Sequence, residues 1–161
     1  MSTTRIDRAS RLIMAPPGLV YRALVDPAMV IEWLPPRGAR GAIERFDPRP
    51  GGAFCMTLTF DDPSHARGKS TSNTDVVKGQ FVTLETNRKV TQRFEFDSAD
   101  PAFAGIMTMS WVLEPRAEGT VLSVTAEDVP VGIRREDHEA GMASSLSNLA
   151  AMVEGTRRSA E

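Results

Sequence analysis

The chain has 161 residues, a formal net charge of −2 and a single cysteine, which suits one domain with a hydrophobic core of ordinary size. Its interspersed charges offer neither a basic stripe for nucleic acid nor a polybasic arm for an anionic membrane. Lone Cys55 excludes an internal disulfide and a cysteine-based zinc cluster, and the N-terminal MSTTRIDRAS has no apolar signal-peptide core, so a soluble, cytoplasmic protein without membrane insertion is the expectation.

Arg5 to Met14 reads as a first strand. Pro16-Pro17 then opens a short helix to Val25, because proline suits a first helical turn. Asp26-Pro27 breaks that helix and starts another, since the residue before proline avoids the helical region and aspartate is a good N-cap. The second helix ends near Trp33, before Pro35-Pro36, and the pair forms a bent element able to grip one end of a curved sheet. From Ala39 the pattern changes to strands: Ala39 to Asp47, a turn at Pro48 to Gly52, then Ala53 to Phe60. In this last strand Phe54, Met56, Leu58 and Phe60 alternate with Ala53, Cys55, Thr57 and Thr59, the period of a half-buried strand with its large side chains inward. Asp61 to Asn73 is polar and reads as a long, mobile hairpin loop carrying an exposed His65.

Three or four more strands are expected, at about Thr74 to Glu85, Lys89 to Asp97, Ile106 to Glu114 and Thr120 to Asp128. Met107, Met109, Trp111 and Leu113 share one face of the third, and Phe94 and Phe96 mark the inward face of the second. The connections Thr86 to Arg88 and Pro115 to Gly119 are hairpin-short, so the strands form an antiparallel meander. A long helix from Arg134 to Glu154 closes the chain, its stripe of Met142, Leu146, Leu149 and Val153 requiring burial against the sheet. The polar tail from Thr156 to Glu161 is expected to fray.

Strand, two short helices, meander and long terminal helix is the order of an α+β helix-grip fold. Val25-Asp26-Pro27 leading to Trp33 and Pro35, the turn Asp47-Pro48-Arg49-Pro50-Gly51-Gly52, Gly119-Thr120, and the helix around Gly141 add local likeness. By these features the chain resembles the START-like (SRPBCC) superfamily and, within it, bacterial homologues of the heat-shock-protein-90 ATPase activator. The likeness covers about residues 8–155 of a single domain. It implies a cavity between sheet and terminal helix, of the kind used by lipid and polyketide carriers, cyclases, sequestering proteins and co-chaperone domains. Many relatives resembling this chain carry tryptophan just after the helix glycine where it has Met142, an adaptable thioether expected to reshape the cavity mouth.

The residues expected to line that cavity are Trp33, Phe54, Met56, Leu58, Phe94, Phe96, Met107, Met109, Trp111, His138, Met142 and Leu146, of which the apolar ones also read as ordinary core. His138 has the chemistry of a general base. Its neighbours Asp137 and Glu139 do not face it on a helix, so it reads rather as part of a solvated helix start whose acids complement the dipole. Two distant histidines give no metal-ligand spacing. Gly51-Gly52 leads into a strand, not a helix, so it reads as a tight turn with positive φ and not as a phosphate cradle. Cys55 reads as a small packing residue, and Arg93, Glu95 and Asp97 as outer-face charges. Glu32, Glu44 and Glu85 have no assigned face; two of them pointing inward would favour catalysis.

The reading is therefore a binding protein for a small apolar or amphipathic molecule, with no catalytic residue, metal or cofactor assigned and a homodimer left open. The alternatives are a cyclase-, aromatase- or hydrolase-type enzyme using the same cavity, and a co-chaperone-like partner-binding domain with an exposed apolar patch.

Overall fold

The computed structural model describes residues 5–35, 38–60 and 74–159. The expected loop from Asp61 to Asn73, with His65, lies outside the described residues. The elements follow the expected order: β1 (Ile6–Ile13), α1 (Pro17–Val25), α2 (Pro27–Trp33), β2 (Ala39–Phe46), β3 (Ala53–Phe60), β4 (Thr74–Glu85), β5 (Lys89–Phe96), β6 (Met107–Pro115), β7 (Thr120–Glu127) and α3 (Arg135–Ser159). All strand pairs are antiparallel, in the order β1-β7-β6-β5-β4-β3-β2. The sheet is curved, and α3 lies in its concavity with α1 and α2 at one end.

Two details differ from expectation. A 3-10 turn at Pro101–Phe103, started by the Asp100 carboxylate accepting from the Ala102 N–H at 2.9 Å, interrupts the β5–β6 connection. The terminal helix does not end at Glu154 but continues to Ser159, through the segment expected to fray. Gly155 costs about 1 kcal/mol relative to alanine inside a helix, too little to end one already anchored along its length.

Local chemistry explains the bends. Asp26 ends α1 and caps α2, its carboxylate accepting from the Ala28 N–H at 3.0 Å. Gly51 has φ of 82°, as expected at that turn, whereas Gly52 is required for space: a Cβ there would lie 1.9 Å from the Asp47 carbonyl oxygen. The corner after β1 is fixed to β7 by the Thr120 hydroxyl, which donates to the Ala15 carbonyl at 2.8 Å.

The position of α3 is set by polar contacts on two sides. Along β1, Glu139 accepts from the Arg8 backbone N–H at 2.9 Å and Glu154 accepts from that of Met14 at 3.0 Å. Helix and strand therefore run parallel, and their lengths match. Arg8 to Met14 spans about 20 Å of strand, and Glu139 to Glu154 about 22 Å of helix. On the other side, Ser145 Oγ donates to the Leu34 carbonyl at 2.7 Å. Asn148 Nδ2 donates to the carbonyls of Trp33 at 3.3 Å and Pro35 at 3.1 Å. These are the carbonyls that the end of α2 leaves without helical partners. Between the two sides, Met142, Leu146, Leu149 and Val153 point into the core.

Removing the Asn148 donors strands two half-buried carbonyls. Asn148→Leu is expected to cost about 1–3 kcal/mol, read as a lower urea midpoint at unchanged slope. A midpoint equal to wild type would show that water replaces the amide without loss.

Candidate functional site

The inner face of the sheet is built by strand alternation. Phe54 and Met56 on β3, Phe81 on β4, Val90, Gln92 and Phe94 on β5, Met107, Met109, Trp111 and Leu113 on β6, and Leu122, Val124 and Ala126 on β7 are all buried. Of the twelve residues expected to line a cavity, nine join this single buried cluster: Trp33, Phe54, Met56, Phe94, Met107, Met109, Trp111, Met142 and Leu146. Leu58 and Phe96 share the face but are half-buried, packed against the cluster's margin. His138 sits apart, at the first turns of α3.

Two aromatic groups organise the interior. Trp33 meets Trp111 edge-on, with ring centroids 5.3 Å apart and planes at 79°. Both indole N–H groups are satisfied, Trp33 donating to the Ala23 carbonyl at 2.7 Å and Trp111 to Gln92 Oε1 at 3.0 Å. Phe54 lies edge-on to Phe94, with centroids 5.3 Å apart, and Phe46 likewise to Phe81 at 5.2 Å. Such pairs contribute roughly 0.5–1.5 kcal/mol beyond the area they bury.

His138 is not part of a solvated helix start. Its side chain is largely covered, and Nδ1 lies 2.9 Å from Oδ2 of Asp7, a fully buried carboxylate on β1. Arg5 reaches the same carboxylate through two bonds of 2.8 Å, and Arg135 Nε approaches it at 3.4 Å. Burial alone would push the Asp7 carboxyl up; the hydrogen bonds from Arg5 and His138 outweigh it and hold the group at about 2. Asp7 is thus the partner that sequence neighbours could not supply. Counting back by twos from buried Ile13 places half-buried Ala9 and buried Asp7 on one face, a signal interrupted by exposed Arg11 in the same phase.

The remaining candidates fall outside. Glu32, Glu44 and Glu85 are all exposed, and Glu44 accepts from the Thr57 hydroxyl at 2.8 Å. Arg93 and Glu95 are exposed on the outer face, and Asp97 pairs there with Lys78 at 3.5 Å. Burial pushes the Cys55 thiol up and nearby Glu44 adds to it, the reverse of nucleophile activation. Among the described residues the buried acids are Asp7 and Asp75, on strands four places apart in the sheet. Among the described residues no group of three His, Cys, Asp or Glu is placed to hold a metal ion, and no helix is long and apolar enough to cross a membrane. An open cleft of about 640 Å³ lies elsewhere, between Pro17 and Gly18 of α1, the turn at Asn87 and Arg88, and the end of β6 at Val112 and Pro115.

The model of the family described as "Activator of Hsp90 ATPase homolog 1-like protein" matches residues 14–154. Among solved structures, protein CV1439 from Chromobacterium violaceum is 31% identical, with 92% of this chain and 96% of that one covered and a TM-score of 0.82. A protein from Rhodobacter sphaeroides is 21% identical over 93% of each chain, at a TM-score of 0.71. An AHSA1-like protein from Aeromonas hydrophila is 19% identical over 94% of each, also at 0.71. The last two show the fold alone; the family model and the 31% identical structure place the chain's helix-grip fold in the START-like group. No curated protein matches the chain.

A carboxyl held below its ordinary 3.8, at about 2, contributes stability that is complete above pH 4 and is lost as pH falls through 2. Asp7→Asn is expected to lose about 2 kcal/mol at neutral pH and to flatten the fall of stability between those limits. Urea titrations at stepped pH test this, and an acid limb as steep as that of wild type would refute it.

Proposed function

We propose a small-molecule binding function for this chain, which belongs to the activator of Hsp90 ATPase homolog 1-like family. The family's fold is one of ligand-binding and partner-binding domains. For this member, the proposed occupant is an apolar or amphipathic molecule held between the sheet and α3. Desolvation by the Phe, Met and Trp side chains would drive uptake, with a few polar groups fixing orientation.

The observation that carries this reading is the gradient of burial along the inner face. Leu122, Val124 and Ala126, on β7 beside the strand α3 follows, are completely buried. Leu58, Val77 and Phe96 lie in phase with the same face on β3, β4 and β5, yet are only half-buried. Helix α3 thus fills one side of the concavity and leaves apolar surface accessible on the other. Met56, Met107 and Met109 adjoin these positions on the paired strands, and their flexible thioethers suit a lining that adapts to its guest.

A second reading, a partner-contacting domain, is favoured by one feature. Val131 is 86% exposed and Ile106 56% exposed, on two loops joined by the bond from Gly132 N–H to the Ala102 carbonyl at 2.7 Å. The enzyme reading finds less support, because none of Glu32, Glu44 and Glu85 faces inward.

Native mass spectrometry of the gently purified protein is expected to show a stoichiometric apolar adduct. Met109→Trp should remove the adduct by occupying its space, while circular dichroism and melting stay near wild type. Trp111 is a poorer probe, since its indole N–H and its edge contact with Trp33 make it structural. A bare wild-type chain in every charge state would overturn the binding reading and favour the partner-contacting one.

A further inference from the structure

Gln92 is the polar side chain on the inner face that the fold leaves half-satisfied. It is 93% buried, being 7% exposed, and stands in the middle of β5, with Val90 and Phe94 on the same side of the strand and Phe81 and Met109 directly opposite on the neighbouring strands. None of those side chains carries an oxygen. The indole N–H of Trp111 can only donate, so its 3.0 Å bond fixes the Gln92 amide with Oε1 toward the ring and Nε2 away from it.

The two N–H donors on Nε2 have no hydrogen-bond partner among the described residues, the bond to Trp111 engaging Oε1 alone, although burying an unsatisfied amide costs about 1–3 kcal/mol. Among the described residues no side-chain nitrogen or oxygen that is sealed from solvent lacks a partner. An unpartnered Nε2 therefore borders accessible space and is not walled off. Of the four side chains that flank it, Met109 and Phe94 keep a trace of exposure, whereas Phe81 and Val90 keep none. These traces of exposure and the unpaired donors lie on the same, inner face of the sheet.

We infer that the Gln92 amide is the polar anchor of the binding site and that the ligand is a neutral apolar molecule carrying one hydrogen-bond acceptor, a carbonyl or comparable oxygen, seated on Nε2. This rests on the proposed binding function and specifies its ligand class. A carboxylate is disfavoured because a neutral amide among Phe, Val and Met side chains provides no countercharge. A pure hydrocarbon would leave the two donors unpaired, which selects against molecules lacking the oxygen.

Two isosteric probes isolate that oxygen. 2-Acetylnaphthalene and 2-isopropenylnaphthalene differ by the exchange of a carbonyl oxygen for a methylene group, and 2-naphthoate supplies the charged comparison. Calorimetric titration of the wild-type protein is expected to show 2-acetylnaphthalene binding about fivefold to tenfold more tightly than 2-isopropenylnaphthalene, the worth of one neutral hydrogen bond. The side-chain amide resonance of Gln92, assigned by its absence in Gln92→Met, should move downfield with the ketone and not with the alkene. Gln92→Met should bind both probes alike. Equal binding of ketone and alkene by the wild-type protein, without movement of the amide resonance, would overturn the anchor while leaving the cavity standing. Tighter binding of 2-naphthoate would overturn the neutral class. Failure of all three probes to bind would overturn both the anchor and the cavity it rests on.

Discussion

The structure depends on the docking of α3 at matched length against β1. The carboxylates of Glu139 and Glu154 reach backbone N–H groups at the two ends of the strand, so the helix is held at both ends of one line. Sliding it by a turn, about 5.4 Å, would break both contacts together. Ser145 and Asn148 add a second line of attachment to the end of α2. With the helix fixed along two lines, its rotation is fixed as well, which directs Met142, Leu146, Leu149 and Val153 at the sheet. The hydrophobic core supplies most of the stabilising free energy, but it is non-directional; the polar contacts choose among its packings.

Two buried polar side chains on the inner face illustrate opposite solutions to one problem. Asp7 is saturated: Arg5, Arg135 and His138 converge on a single carboxylate and keep it ionised out of water. It joins the start of the first strand to the start of the last helix, a structural duty that uses all of its acceptors. Gln92 spends only its carbonyl, on Trp111, and retains two donors. A saturated group stabilises and has nothing left to offer a guest. An unsaturated one costs stability in the empty protein and recovers it on binding.

Much of this was legible in the chain because strand alternation and proline placement are local signals. The phases of Phe54 and Met56, and of Met107, Met109 and Trp111, follow from a period of two, and Asp26-Pro27 marks the bend between α1 and α2. Asp7 and Gln92 obeyed the same period and were nonetheless passed over, because pattern reading attends to apolar positions and treats a polar residue in phase as noise. The true partner of His138 lies far away in sequence, and no local rule reaches across that interval. The capping of α2 by Ser145 and Asn148 is likewise tertiary. The continuation of α3 to Ser159 was missed because a polar tail with glycine lowers local propensity, whereas a helix already docked over several turns carries its end along.

A sheet with free margins invites further strands, and this one has a margin at β1 and another at β2. At β1, the Arg8 and Met14 N–H groups that an added strand would need are already occupied by carboxylates of the chain's own helix. At β2, the register breaks between Ile43 and Arg45, and charged Arg40, Glu44 and Arg45 stand exposed along it; a bulged, charged margin is a poor template for pairing. The same contacts that seat the helix thus protect the molecule from edge-to-edge aggregation, so that variants loosening α3 would be at risk of fibre formation as well as lower stability.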